Sequence, residues 1–163
     1  MQLPYRKPGK YTYLKPDEYL TEEKYNELKN KLDRLKYNRP RLAEEVKKYA
    51  SDGDFSENAA YQIAKGRLRG MNRGILEIED HLKRAVIIRH IKGANQVALG
   101  STVTVKSAGK QKTFLILGSS EANPAKGIIS RNSPLGSALM GRRVGDKIKL
   151  PDKAVEYEIL KIE

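Results

Sequence analysis

The feature that most constrains this chain is a pair of apolar seams separated by a very short connection. In the first, Leu28, Leu32, Leu35, Leu42, Val46 and Tyr49 recur at spacings of 4, 3, 7, 4 and 3, a heptad pattern with one position, Arg39, skipped. In the second, Tyr61, Ala64, Leu68, Met71, Ile75, Ile78, Leu82 and Ala85 follow at 3, 4, 3, 4, 3, 4 and 3 without interruption. Two seams of similar length joined by little more than S-D-G-D have one way to bury themselves, which is against each other as an antiparallel helical hairpin. T-E-E-K at Thr21 offers an N-cap with acids in the first turn. Pro40 removes one helical hydrogen bond inside the first arm and predicts a kink there. Each arm of about 28 residues would be ~42 Å long.

Outside the seams the pattern changes. Pro4, Pro8, Gly9 and Pro16 make residues 1–19 an irregular basic lead-in, and residues 20–91 hold the hairpin. From Gln96 the period becomes two, with V-A-L-G-S-T-V-T-V, K-T-F-L-I-L-G, D-K-I-K-L and A-V-E-Y-E-I-L-K-I as strand candidates. S-P-L-G-S-A-L-M-G predicts a short helix with Ser133 as N-cap, Pro134 at its first position and Gly141 past its end. The fold class is therefore α+β: a hairpin followed, over residues 96–163, by a small sheet domain with one helix.

Composition narrows the function. The chain has no Cys, which excludes disulfides, thiolate zinc sites and cysteine nucleophiles and makes the cytoplasm the default location. No stretch approaches the ~20 apolar residues a membrane-spanning helix needs, and M-Q-L-P-Y-R-K-P-G-K lacks the apolar core of a secretory signal. A net charge of +12 points to a polyanionic partner, nucleic acid before membrane.

Against that charge, residues 51–57 (S-D-G-D-F-S-E) hold Asp52, Asp54 and Glu57 with no Lys or Arg, and they fall at the far end of the rod. Asp54 and Glu57 fit a capping box for the second helix, with Gly53 supplying the turn. Capping does not account for Asp52 or for acid concentrated at one exposed end. Such carboxylates can also share a Mg²⁺ ion, which is commonly held by one or two carboxylates plus substrate phosphates, so the pair would need a second site to complete it. Along the second arm Lys65, Arg69 and Arg73 recur every four residues, and no acid lies between Glu57 and Glu77. That stripe is either a solvated face or a track for a phosphate backbone.

Taken together, R-P-R-L in the first arm, G-D-F-S-E-N-A-A-Y at the tip, and I-I-S-R-N-S-P-L-G-S-A-L-M-G-R-R-V-G-D beyond it resemble the bacterial Gre transcript-cleavage factors, from about residue 20 to the C-terminus. The resemblance implies an FKBP-like C-terminal domain that docks on RNA polymerase, with the hairpin inserted in the polymerase secondary channel. It implies that Asp54 and Glu57 act catalytically by helping to retain a Mg²⁺ ion shared with the polymerase, that nascent RNA at its 3′ end lies along Lys65, Arg69 and Arg73, and that Asn132, Ser133 and Pro134 contact the polymerase. On this reading the chain is a monomeric stimulator of the polymerase's own RNA cleavage. S-E-N-A-x-Y-Q with R-L-R nearby resembles the GreB subgroup more than GreA. Two alternatives stand beside it: a paralogue that inhibits polymerase through the same channel, and an RNA- or DNA-binding module whose tip is only a cap. The first 19 residues have no counterpart in the family pattern, and the P-D-K-A-V turn is shorter than the family's usual loop.

Overall fold

The computed structural model describes residues 17–51, 59–89, 95–150 and 153–163. A two-residue strand, β1 (Tyr19–Leu20), leads into helix α1 (Glu22–Ser51); helix α2 (Ala59–Arg84) returns and is followed at once by β2 (Val86–Ile87). Thr21 starts α1 as its sequence context predicts, with its Oγ1 accepting the Lys24 amide at 3.2 Å and Glu22 and Glu23 in the first turn facing the positive end of the helix dipole. Pro40 lies within a helix that continues across it. The lost hydrogen bond is tolerated inside the rod and does not end it.

The two seams meet. Leu32, Ile75 and Ile78 are buried, with Leu28, Leu35, Met71 and Leu82 packed around them, and Ala64 is buried farther toward the tip. Arg39, the position where the first seam skips a beat, turns outward and donates from Nε to Asn72 Oδ1 at 2.8 Å across the hairpin. Lys36 and Glu79 form a second bridge between the arms at 2.6 Å. Both are solvent-exposed, so they help register more than stability; such pairs contribute about 0–1 kcal/mol. The apolar seam holds the arms together.

The rest of the chain builds a five-stranded sheet from β3 (Thr102–Ser107), β4 (Lys110–Leu117), β5 (Ile128–Ser130), β6 (Lys147–Leu150) and β7 (Lys153–Ile162), in the order β5-β4-β3-β7-β6. β3 and β4 are joined through Ala108 and Gly109, both at positive φ (47° and 76°), the backbone that a two-residue hairpin turn requires. β5 pairs parallel to β4; the other neighbours are antiparallel. Helix α3 (Pro134–Leu139) covers one face, where Leu139 joins Val97, Val103, Val105, Ile116, Ile129, Ile148 and Ile159 in a single core. None of the described helices is long and apolar enough to cross a membrane.

The structure departs from the sequence reading in three places. Tyr19, expected in the irregular lead-in, is a strand residue: Tyr19 and Leu20 pair in parallel with Val86 and Ile87, sealed by Val86 N–H to Glu18 O (2.7 Å) and Ile88 N–H to Leu20 O (2.8 Å). V-A-L-G-S does not extend β3. Gly100 turns the chain at φ 91°, while Val97 enters the core and pairs its backbone with Gly141 and Arg142. Finally β5 is a strand that three residues of alternation were too few to announce.

Candidate functional site

Three groups of side chains were expected to carry function. Asp54 and Glu57 lie outside the described residues, as do Asp52 and Gly53; the description of α1 runs to Ser51 and that of α2 resumes at Ala59. Among the described residues no group of three His, Asp or Glu side chains is placed to hold a metal ion.

Lys65, Arg69 and Arg73 are all exposed on α2. Their four-residue spacing keeps them on one side of a helix whose other side, through Ala64, Ile75 and Ile78, is buried against α1. They are not equivalent. Arg73 donates from Nε to Glu77 at 2.7 Å, and that hydrogen bond, then the charge of the same carboxylate, raises the Arg73 pKa from its ordinary value. The ammonium of Lys65 lies 5.3 Å from the centre of the Tyr61 ring, a cation–π contact that leaves its charge available. Arg69 and Lys65 therefore present the less neutralised part of the stripe.

Asn132, Ser133 and Pro134 sit at the start of α3, and all three have work inside the molecule. Ser133 Oγ accepts the Gly136 amide at 3.0 Å and donates to Ser130 O at 2.7 Å, while Pro134 occupies the first helical turn, where its missing N–H is not needed. Asn132 Nδ2 donates toward Ser119 Oγ (3.2 Å) and Asp17 Oδ2 (3.4 Å). Its side chain is thereby turned toward the base of the hairpin.

That base was not foreseen from the sequence. Asp17, with a side chain only 4% exposed, forms an ion pair with Arg131 (3.4 Å) and accepts from the Ser119 amide (3.3 Å). Its carbonyl faces His81 Nε2 at 2.9 Å. Since a carbonyl can only accept, the proton of that contact sits on Nε2. Arg131 in turn lies over the Tyr19 ring, 4.2 Å from its centre. Gly118 lets the chain pass so close to Tyr19 O that a Cβ would collide with it. Glu121, from the 3₁₀ turn Ser119–Glu121, accepts both the Thr21 amide (2.7 Å) and the Thr21 hydroxyl (2.6 Å). The residue that caps α1 is thus itself gripped by the sheet domain. No local sequence signal marks these pairs, whose partners lie 64 to 115 residues apart.

The order hairpin, acidic connection and sheet with a capped helix has counterparts among known proteins. A model of the N-terminal region of transcription elongation factors matches residues 18–87, and one described as "Transcription elongation factor, GreA/GreB, C-term" matches residues 92–163. The chain belongs to the GreA/GreB transcription elongation factor family. Transcription elongation factor GreA of Nautilia profundicola is 42% identical over 152 residues, covering 89% of this chain and 93% of that protein. The GreA of Clostridioides difficile is 40% identical over 149 residues, covering 88% and 94%. A solved structure titled GreA factor homolog 1 (Gfh1) of Thermus thermophilus is 28% identical, covering 90% of this chain and 99% of that one, at a TM-score of 0.42. The relatives named here bear the GreA name, so the resemblance of the tip motif to the GreB subgroup gains no support from them. The family matches begin at residue 18, one residue after the buried Asp17.

Proposed function

We propose that this GreA/GreB-family chain binds bacterial RNA polymerase, passes its hairpin into the secondary channel, and stimulates the polymerase to cleave backtracked RNA. The observation that carries the proposal is the placement of G-D-F-S-E-N-A-A-Y at the connection between two antiparallel helices, the first about 45 Å long at 1.5 Å per residue. A rod of that length ending in carboxylates delivers negative charge to a place the bulk of the protein cannot reach.

Each part of the chain has a task in this reading. The sheet domain docks, with the exposed edge of α3 around Asn132 and Pro134 part of its surface. The Lys65 and Arg69 side chains attract the phosphates of the extruded RNA 3′ segment, an interaction that weakens as salt rises. Asp54 and Glu57 would hold a Mg²⁺ ion jointly with the polymerase; two carboxylates are the hard oxygen donors that ion takes, and alone they are too few to hold it tightly. Bound there, the ion would supply the charge stabilisation and water activation of phosphodiester hydrolysis. The chain itself turns over no substrate: it is a cytoplasmic, monomeric stimulator that adds two carboxylates to another protein's site.

The test is a stalled, backtracked elongation complex with labelled RNA, resolved on a gel with and without this protein. Cleavage should appear with the wild type and fall tenfold or more with Asp54→Asn or Glu57→Gln, a loss of at least about 1.4 kcal/mol of transition-state stabilisation, while polymerase binding persists. Slowed elongation without cleavage products would identify an inhibitor instead. Tight RNA binding by the isolated protein, with no effect on polymerase, would leave a nucleic-acid-binding module.

A further inference from the structure

The two modules of this chain have separate cores, one in the helical seam and one between the sheet and α3. What connects them is a joint in which Gly118 packs against the Tyr19 backbone, Gly100 against Ile88 and Arg131 over the Tyr19 ring, beside a few polar contacts. Glu121 spans it most directly: one carboxylate accepts both the backbone amide and the hydroxyl of Thr21 at 2.7 and 2.6 Å, across 100 residues of sequence. Both oxygens are used, each by a different donor. A carboxylate held by two donors on one residue fixes an orientation as well as a distance, and charge-assisted bonds of this length are among the stronger ones proteins make. Thr21 is also the first cap of α1, with its Oγ1 accepting the Lys24 amide. The grip is therefore on the root of the rod.

We propose that Glu121 is a positioning residue: through Thr21 it sets the angle at which the hairpin leaves the sheet domain, and so where the tip acids arrive when that domain is docked. This rests on the functional reading above. The reason a single contact matters is leverage. α1 is about 45 Å long, so a tilt of 10° at its root displaces the far end by ~8 Å, whereas a misplacement of ~1 Å at a reacting centre already lowers rates steeply. The neighbouring contacts of Asp17, with Ser119, Arg131 and Asn132, all run at 3.3–3.4 Å and restrain the angle less sharply. Thr21→Ala would also uncap α1. Glu121 is the cleaner site to change, because its only side-chain hydrogen bonds among the described residues go to Thr21.

The chain has no cysteine, so Lys47→Cys on α1 and Lys110→Cys at the β3–β4 turn, both exposed positions, give a pair of specific spin-label sites on the full-length protein. With Glu121 intact the interspin distance distribution should be narrow. Glu121→Ala should broaden it at least twofold, Glu121→Gln, which keeps one acceptor, should fall between, and the circular dichroism of both should match the parent. In the cleavage assay, Glu121→Ala should lower the plateau rate at saturating factor fivefold or more, while the concentration giving half the plateau moves less than twofold. An unchanged distance distribution overturns the proposal, and so does a broadened one beside a wild-type plateau. Should the wild type stimulate no cleavage at all, the functional reading fails, and the distance measurement still decides whether Glu121 sets the angle.

Discussion

Ser133 shows how much one hydroxyl can hold. It accepts the Gly136 amide and donates to the Ser130 carbonyl, so it closes the first turn of α3 and ties that turn back to the end of β5. Beside it Gly136 has no room for a Cβ, which would meet the same Ser130 carbonyl. Ser133→Ala removes both bonds and leaves a helix N-terminus uncapped; it should cost about 1–2 kcal/mol. For a module of this size that corresponds to a melting temperature lower by roughly 4–8 °C per kcal/mol, read by thermal denaturation. Ser133→Thr should restore most of the loss. Unchanged melting in Ser133→Ala would mean that the cap contributes nothing and that this serine serves only a partner. The cap was legible in the sequence because Ser-Pro followed by a short apolar run and Gly is a local pattern with a local cause. Asn132 was not legible in that way: its partners Ser119 and Asp17 lie 13 and 115 residues away in the chain, and nothing adjacent to Asn132 announces them.

Among the elements, α2 carries the clearest division of faces. Its buried side was readable because a period of 3.6 leaves one mark per turn, and Ala64, Ile75 and Ile78 fall where the seam put them. Its charged side was readable as a stripe, but the Arg73–Glu77 ion pair changes the weight of its members. Lys65→Gln with Arg69→Gln should slow cleavage of complexes with long extruded RNA more than of those with short RNA, by several-fold at low salt and less at high salt. Arg73→Gln alone should have a smaller effect, since its charge is shared with Glu77. Cleavage assays across a series of backtracked lengths and salt concentrations decide this; equal losses at every length would place the three residues in docking or folding. The short strands β1, β2 and β5 escaped the sequence reading for a plain reason. Two or three residues cannot display alternation, and their pairing is set by tertiary neighbours rather than by propensity.

At the scale of the whole molecule, the sheet core draws every one of its members from residues 97–162, so residues 95–163 contain all they need to fold. That fragment should melt cooperatively, bind polymerase and compete with the full chain, yet stimulate no cleavage, because no carboxylate remains at the end of a rod. The measurements are calorimetry, affinity for polymerase and the gel assay. A folded fragment that fails to bind would place docking on the hairpin. The complementary fragment, residues 17–89, keeps the helical seam but loses Glu121, Ser119, Arg131 and Asn132 from its base. It should be the less stable piece, and it should act only at high concentration, since nothing then tethers its tip near the channel.

The Thr21–Glu121 contact also has a history within each molecule's synthesis. A ribosome adding about 5–20 residues per second needs on the order of 5–20 s to cover the 100 positions between those two residues. The helical arms have emerged well before then, and their seam can close while the root of α1 has no partner. Docking of the rod onto its base is thus the later event in the life of the chain, made when the turn carrying Glu121 and the strand that follows it leave the exit tunnel. A nascent chain halted with residue 89 outside the tunnel and residue 118 still inside it would carry a finished rod on an unfinished handle.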